Sequence, residues 1–87
     1  MAQQSDRLVV YGADWCHVTQ DTLQFLDGLG AEYEYVDIVQ DPDSAAWVRE
    51  QSGGMEIKPT LKLGDDVLTA PPADVLEAAL RQHRLLV

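Results

Sequence analysis

The stretch that decides the fold is residues 7–19, RLVVYGADWCHVT, in which an apolar run closed by a glycine is followed by a lone cysteine. The β-branched and aromatic side chains of Arg7–Tyr11 predict a first strand that ends at Gly12. From about His17 to Leu29 apolar side chains recur near helical spacing, which predicts a first helix. Cys16 therefore stands where the first strand gives way to the first helix.

Outward from this stretch, the chain continues to alternate strand and helix patterns. Gly28 and Gly30 supply stop signals for the first helix. Period-2 alternation, prolines at helix starts and a glycine-containing turn then predict five more elements and their boundaries, two of them the strands of a hairpin. They are a strand at residues 32–38, a helix opened by residues 41–43 and ended by residues 52–54, a hairpin of residues 60–63 and 67–69, and a last helix started by residues 71–74.

The predicted order is β-α-β-α-β-β-α, an α/β fold with three helices and a four-stranded mixed sheet. Helical crossovers make the first two strands parallel, and the hairpin adds antiparallel strands. Val18 and Val75 are assigned to the apolar faces of the first and last helices. Eighty-seven residues leave room for one small domain, residues 1–87.

The charge balance limits the classes of partner. Six basic against fifteen acidic residues give a net charge of -9, which argues against nucleic-acid binding and against attachment to an anionic membrane. Residues 1–44 hold nine of the acidic side chains and a single basic one, Arg7. No apolar run approaches membrane length, and the first residues lack a signal-peptide layout. A cytoplasmic monomer is expected.

Cys16 is the one cysteine of the sequence, so no intramolecular disulfide can form and no thiolate cluster can bind zinc. A helix N-terminus favours thiolate over thiol, and thiolate is the reactive form. His17 and Lys58, if close, would lower the pKa of Cys16, whereas nearby acidic side chains would raise it. Either Cys16 is a small buried packing residue, or it reacts with a thiol from outside the chain.

Two segments carry a family resemblance. Residues 11–19 resemble the active-site segment of glutaredoxins, an aromatic followed by Cys-x-x-Cys, with Thr19 at the position of the second cysteine. Residues 57–60 (IKPT) resemble the Thr-Val-Pro segment of that family, whose proline is cis and faces the active-site cysteine. Gly53-Gly54 and residues 68–74 are most similar to the mycoredoxin branch. The resemblance implies a thioredoxin-like fold and a thiol–disulfide oxidoreductase with Cys16 as its catalytic residue.

The resemblance and the positions around it also suggest a set of substrate-binding residues. The set is Trp15, His17, Thr19, Lys58, Pro59 and Asp74. For the first five an ordinary structural role remains open: Trp15 as a plain aromatic, His17 as a solvated histidine, Thr19 as a neutral helix residue, Lys58 as a strand-edge lysine and Pro59 as a trans proline.

Departures from the family pattern restrict the predicted function. Thr19 cannot resolve a mixed disulfide, which leaves a monothiol route in which a low-molecular-weight thiol is the co-substrate and S-thiolated proteins are the partners. The family lysine that pairs with a glutathione carboxylate is replaced by Ala13. Pro71 and Pro72 remove N–H donors from the start of the last helix. These departures predict that mycothiol or bacillithiol suits the site better than glutathione. No tightly bound cofactor is expected.

Two other classes of function remain open at this stage. One is an iron–sulfur carrier in which two chains each contribute Cys16 and external thiols complete the ligand set, although the Cys-Gly-Phe-Ser segment typical of such carriers is absent. The other is a thioredoxin-fold interaction domain that has lost activity together with its second cysteine.

Overall fold

In the computed structural model, which describes residues 7–86, seven elements follow one another in the predicted order β-α-β-α-β-β-α. They are β1 (Leu8–Gly12), α1 (His17–Leu29), β2 (Glu34–Asp37), α2 (Pro42–Gln51), β3 (Thr60–Leu63), β4 (Asp66–Thr69) and α3 (Ala73–Gln82). Among these residues, each helix is too short or too polar to cross a membrane.

The four strands form one mixed sheet in the order β2-β1-β3-β4. β1 pairs in parallel with β2, where Val10 lies opposite Tyr35, and antiparallel with β3, where the same residue lies opposite Leu61. β3 and β4 form the antiparallel hairpin. The predicted strand directions are therefore confirmed.

β1 is one of the two inner strands, and its side chains alternate between the two faces of the sheet. Leu8 and Val10 face a buried cluster to which α1 and α3 contribute Leu26, Leu76 and Leu80. On the other face, α2 packs against the sheet through a second cluster of Ile38, Ala45 and Val48. The sheet thus lies between α1 and α3 on one side and α2 on the other. This arrangement holds the C-terminal end of β1 and the start of α1 firmly in place.

Three local predictions were wrong. Gly28 lies inside α1, and the helix ends at Gly30, whose positive φ of 73° closes it with a left-handed turn. Val18 and Val75 are exposed, while their chain neighbours Thr19 and Leu76 are buried. A helix turns by more than a quarter circle per residue, so only one of two adjacent side chains can face the sheet.

Candidate active site

Cys16 is the N-cap residue of α1, shortly beyond the end of β1. The turn that carries it is closed by a hydrogen bond from the Cys16 N–H to the Ala13 carbonyl at 3.0 Å, and the Cys16 carbonyl accepts the first helical bond from the Gln20 N–H at 3.0 Å. The Gln20 side-chain amide also donates to the Asp14 carbonyl at 2.5 Å. Cys16 is half-buried, so its thiol is held on a hydrogen-bonded turn and is not enclosed in the core.

The surroundings of Cys16 favour its ionised form. Burial raises the pKa of the thiol, but the Thr19 hydroxyl, the N–H groups of Thr19 and Val18, and the charge of Lys58 together lower it below its ordinary value. The two N–H groups belong to the second and third helical positions, which a capping side chain normally satisfies. Because thiolate is the nucleophile in disulfide exchange, this site supports nucleophilic attack by Cys16.

Thr19 is fully buried, and its Oγ1 has no hydrogen-bond partner of ordinary geometry within residues 7–86. A neutral thiol is a weak acceptor, whereas a thiolate is a strong one. Since the hydroxyl lies beside Cys16 and lowers its pKa, ionisation of Cys16 supplies the acceptor that the hydroxyl lacks. The alternative that Thr19 bonds to its own helix backbone finds no support.

Gly12 makes room for the Thr19 side chain. A Cβ at this position would come within 2.6 Å of the Thr19 Cγ2 and Oγ1, closer than real atoms approach. Gly12 is therefore required by close packing rather than by its backbone angles. The glycine that ends the first strand also positions the hydroxyl beside the sulfur.

The Lys58–Pro59 peptide bond is cis, as the resemblance implies. Pro59 is fully buried, and its carbonyl accepts from the Ala70 N–H at 2.8 Å, so that carbonyl is used within the fold. Within residues 7–86, neither the N–H nor the C=O of the Lys58 backbone is engaged in a hydrogen bond. These two groups are the ones that an extended substrate could pair with.

Trp15 and Lys58 line one side of the site. Trp15 is 71% exposed, which excludes a core role, and the Lys58 Nζ lies 5.4 Å from the centre of its ring. The Lys58 side chain is only 16% exposed, so it is not a solvated strand-edge lysine. An aromatic face and a cation therefore lie together, near enough to Cys16 for the lysine to act on its pKa.

His17 and Asp74 are not brought into this group. The His17 side chain is 89% exposed and lies 3.6 Å from the Asp21 carboxylate, which matches the solvated role. His17 is not among the described groups that lower the pKa of Cys16. Asp74 is exposed in the first turn of α3, and no hydrogen bond or ion pair in residues 7–86 links it to Cys16.

Tyr35 is a site residue that the sequence did not single out. Its hydroxyl donates to the Asp14 carboxylate at 2.7 Å. Burial, this bond and the charges of Asp14, Asp37 and Cys16 raise the pKa of Tyr35, so the phenol stays a donor. The parallel pairing of β1 and β2 was the signal that could have found it, since it brings Tyr35 alongside the strand that leads to Cys16.

The fold and the site together define a thioredoxin-like protein with a half-buried cysteine of lowered pKa at the start of its first helix. The glutaredoxin family model matches residues 8–68. Mycoredoxin 1 of Corynebacterium glutamicum is 32% identical over 65 residues, which make up 75% of this chain and 80% of that protein. The chain belongs to the glutaredoxin family and is a mycoredoxin-like redox protein.

Solved structures agree with this fold. The glutaredoxin of Archaeoglobus fulgidus superposes with a TM-score of 0.77 at 22% identity, and the match covers 87% of each chain. The glutaredoxin-like NrdH-redoxin of Escherichia coli superposes with a TM-score of 0.74 at 21% identity, and the match covers 83% of this chain and 92% of that one. At these identities the likeness concerns the fold.

Proposed function

We propose that the protein reduces mixed disulfides between proteins and a low-molecular-weight thiol by a monothiol cycle at Cys16. The observation that carries the proposal is a single cysteine at the N-cap of α1 with a lowered pKa. The position of a second cysteine is taken by Thr19, whose buried hydroxyl can stabilise a thiolate but cannot attack a disulfide. Regeneration of Cys16 therefore requires a thiol from solution.

The cycle consists of two thiol–disulfide exchanges. In the first, the Cys16 thiolate attacks the small-thiol sulfur of the mixed disulfide, the protein leaves as a thiolate that takes a proton from water, and Cys16 holds the small thiol in a new disulfide. In the second, the thiolate of another small-thiol molecule attacks the sulfur of the bound one. The products are the symmetrical small-molecule disulfide and the Cys16 thiolate.

The remaining predicted residues take supporting roles in this proposal. The Lys58 backbone before Pro59 pairs with the extended part of the substrate, and Trp15 covers one side of the bound disulfide. Lys58 and Thr19 favour the thiolate both at the start of the cycle and when Cys16 leaves in the second exchange. His17 and Asp74 would contact only the outer part of a larger substrate.

For the small thiol, we propose mycothiol or bacillithiol in preference to glutathione. The buried Ala13 stands at the position where the family pattern has a lysine that pairs with a glutathione carboxylate. The neighbouring Asp14 is an exposed carboxylate that accepts a hydrogen bond from Tyr35. Proline stands at the N-cap of α3, where no side-chain cap is present. The likeness to Mycoredoxin 1 supports the same preference.

We place this reaction in the cytoplasm and in a monomer. The co-substrates are small thiols and S-thiolated proteins, and no tightly bound cofactor takes part.

The test is reduction of one carrier protein in two forms, mycothiolated and glutathionylated, each with its own thiol as reductant. We expect faster turnover of the mycothiolated form, and mass spectrometry should find a one-to-one adduct on Cys16. Cys16→Ser is the control and should be inactive. Comparable turnover of both forms would contradict the thiol preference. Absence of both turnover and adduct would contradict the monothiol cycle itself.

A further inference from the structure

Three charged side chains lie in a row next to the site and form the Arg49–Glu56–Lys58 cluster. The Arg49 Nη1 lies 2.8 Å from the Glu56 Oε2, and the Lys58 Nζ lies 3.5 Å from the Glu56 Oε1. The Lys58 Nζ is also 3.3 Å from the Glu56 carbonyl oxygen. One carboxylate therefore faces two cations, one with each oxygen.

The cluster reaches the site through Lys58, whose Nζ lies over the Trp15 ring and whose charge acts on Cys16. The Lys58 side chain is 16% exposed, Glu56 38% and Arg49 45%. A molecule bound to the Cys16 sulfur therefore lies near Lys58, the one member of the cluster whose charge acts on Cys16. At Lys58 it meets a cation that is already paired with the Glu56 carboxylate.

This placement affects small thiols according to their charge. A thiol that carries a carboxylate would gain from Lys58, but Glu56 already pairs with that cation. A second carboxylate at Lys58 would lie close to the Glu56 carboxylate, where like charges repel. A thiol without a carboxylate needs no cation and leaves the cluster intact.

We propose that Glu56 is a specificity-determining residue, an internal carboxylate that occupies the cations beside the site and so disfavours small thiols that carry a carboxylate. The inference rests on the proposed function, in that it names the class of small thiol that Cys16 accepts. That class is a thiol without a carboxylate. Of the two sugar-linked thiols proposed above it favours mycothiol, because the malate group of bacillithiol carries carboxylates.

The experiment compares two small disulfides of nearly equal size, those of 3-mercaptopropionamide and 3-mercaptopropionate. In each, the Cys16 thiolate attacks one sulfur, forms a mixed disulfide and releases one equivalent of the small thiolate. Mass spectrometry gives the rate at which Cys16 is loaded, without any protein substrate. The native chain should be loaded faster by the amide than by the acid.

Glu56→Gln keeps the shape of the side chain and removes its charge. We expect loading by the acid to rise about five- to tenfold, because a like-charge contact is removed, while loading by the amide changes less than about twofold. Glu50→Gln is the matched control, since Glu50 is exposed on α2 and has no ion pair within residues 7–86. It changes the net charge equally and should leave the ratio of the two rates unchanged.

An equal effect of Glu56→Gln on both disulfides, or an equal rise with Glu50→Gln, would overturn the inference. The proposed function fails separately. If Glu56→Gln changes the ratio as expected but the native protein reduces no mixed disulfide of a protein, the role of Glu56 stands and the catalytic cycle does not. Melting temperatures should stay within a few degrees of each other, since partly exposed ion pairs contribute little to stability.

Discussion

The starts of α1 and α2 show how one chain uses the same structural feature in two ways. At α2 the N-cap is Asp41, whose carboxylate accepts from the Ser44 N–H at 3.3 Å and from the Ser44 hydroxyl at 2.9 Å. Pro42 opens the helix, and Asp43 lies in its first turn. Each of these residues stabilises a helix start.

At α1 the N-cap is Cys16, with no side-chain cap bond and no acidic residue in the first turn. Its unpaired N–H groups and the Thr19 hydroxyl are left for the sulfur, and they gain a strong acceptor only when the thiol ionises. The lesson is that α1 forgoes a stabilising cap and keeps its N-terminus available for a thiolate. Substitutions that add a cap at the start of α1, remove the Thr19 hydroxyl beside Cys16, or remove the cap at the start of α2 test this interpretation.

The largest effect is expected from Cys16→Asp, which gives α1 the kind of cap that α2 has. Activity should be abolished, because a carboxylate cannot form a disulfide. The free energy of unfolding should rise by about 1 kcal/mol relative to Cys16→Ala, since Asp is a far better N-cap than Ala. For a domain of this size that corresponds to roughly 4–8 °C in Tm, measured by thermal melts followed by circular dichroism.

Cys16→Ala is the control for this prediction and should be equally inactive without the gain in stability. If the Asp variant melts at or below the temperature of the Ala variant, the start of α1 does not offer a vacant cap.

A smaller effect is expected from Thr19→Val, which keeps the shape of the side chain and removes its hydroxyl. The pKa of Cys16 should rise, because one of the groups that lower it is lost. Activity depends on the thiolate, so the pH at which it falls should move upward and the rate at pH 7 should drop about three- to tenfold, as for one hydrogen bond.

Below the pKa of Cys16, where the thiol is neutral, the same substitution should stabilise the fold by about 1 kcal/mol, because it removes a buried hydroxyl without a partner. Above that pKa the substitution also removes the bond to the thiolate, so the gain in stability should shrink or reverse. Thr19→Ser keeps the hydroxyl and serves as the control for the pH profile. An unchanged pH profile of Thr19→Val, read from alkylation rates of Cys16, would show that the hydroxyl does not act on the sulfur.

The smallest functional effect is expected from Asp41→Ala at the start of α2. The free energy of unfolding should fall by about 1 kcal/mol through loss of the cap, which urea titration can measure. Activity should stay within about twofold of the native value, because this cap does not contact Cys16. Asp43→Ala is the control, since it removes a favourable helix-dipole charge but no cap bond. A parallel loss of activity would mean that the two helix starts are not independent.

Much of the fold could be predicted from the sequence because its signals are local. The alternation of residues 32–38, the prolines at helix starts and the turn between β3 and β4 each act over a few residues. The position of Cys16 at the start of α1 followed from the strand and helix patterns in the same way. The cis bond before Pro59 was instead implied by the family resemblance of residues 57–60. Errors arose where a pattern fitted two nearby positions, as at the end of α1, where either Gly28 or Gly30 could stop the helix.

The sequence by itself therefore determined the order of the elements, the directions of the strands and the single thiol on which all chemistry depends. Only the tertiary structure decided what surrounds that thiol. The Tyr35–Asp14 bond joins residues 21 positions apart, and the Lys58–Trp15 contact joins residues separated by about half of the chain. The physical reason is that such contacts form when the sheet and helices pack, and no periodicity in the sequence encodes which distant side chains will then lie together.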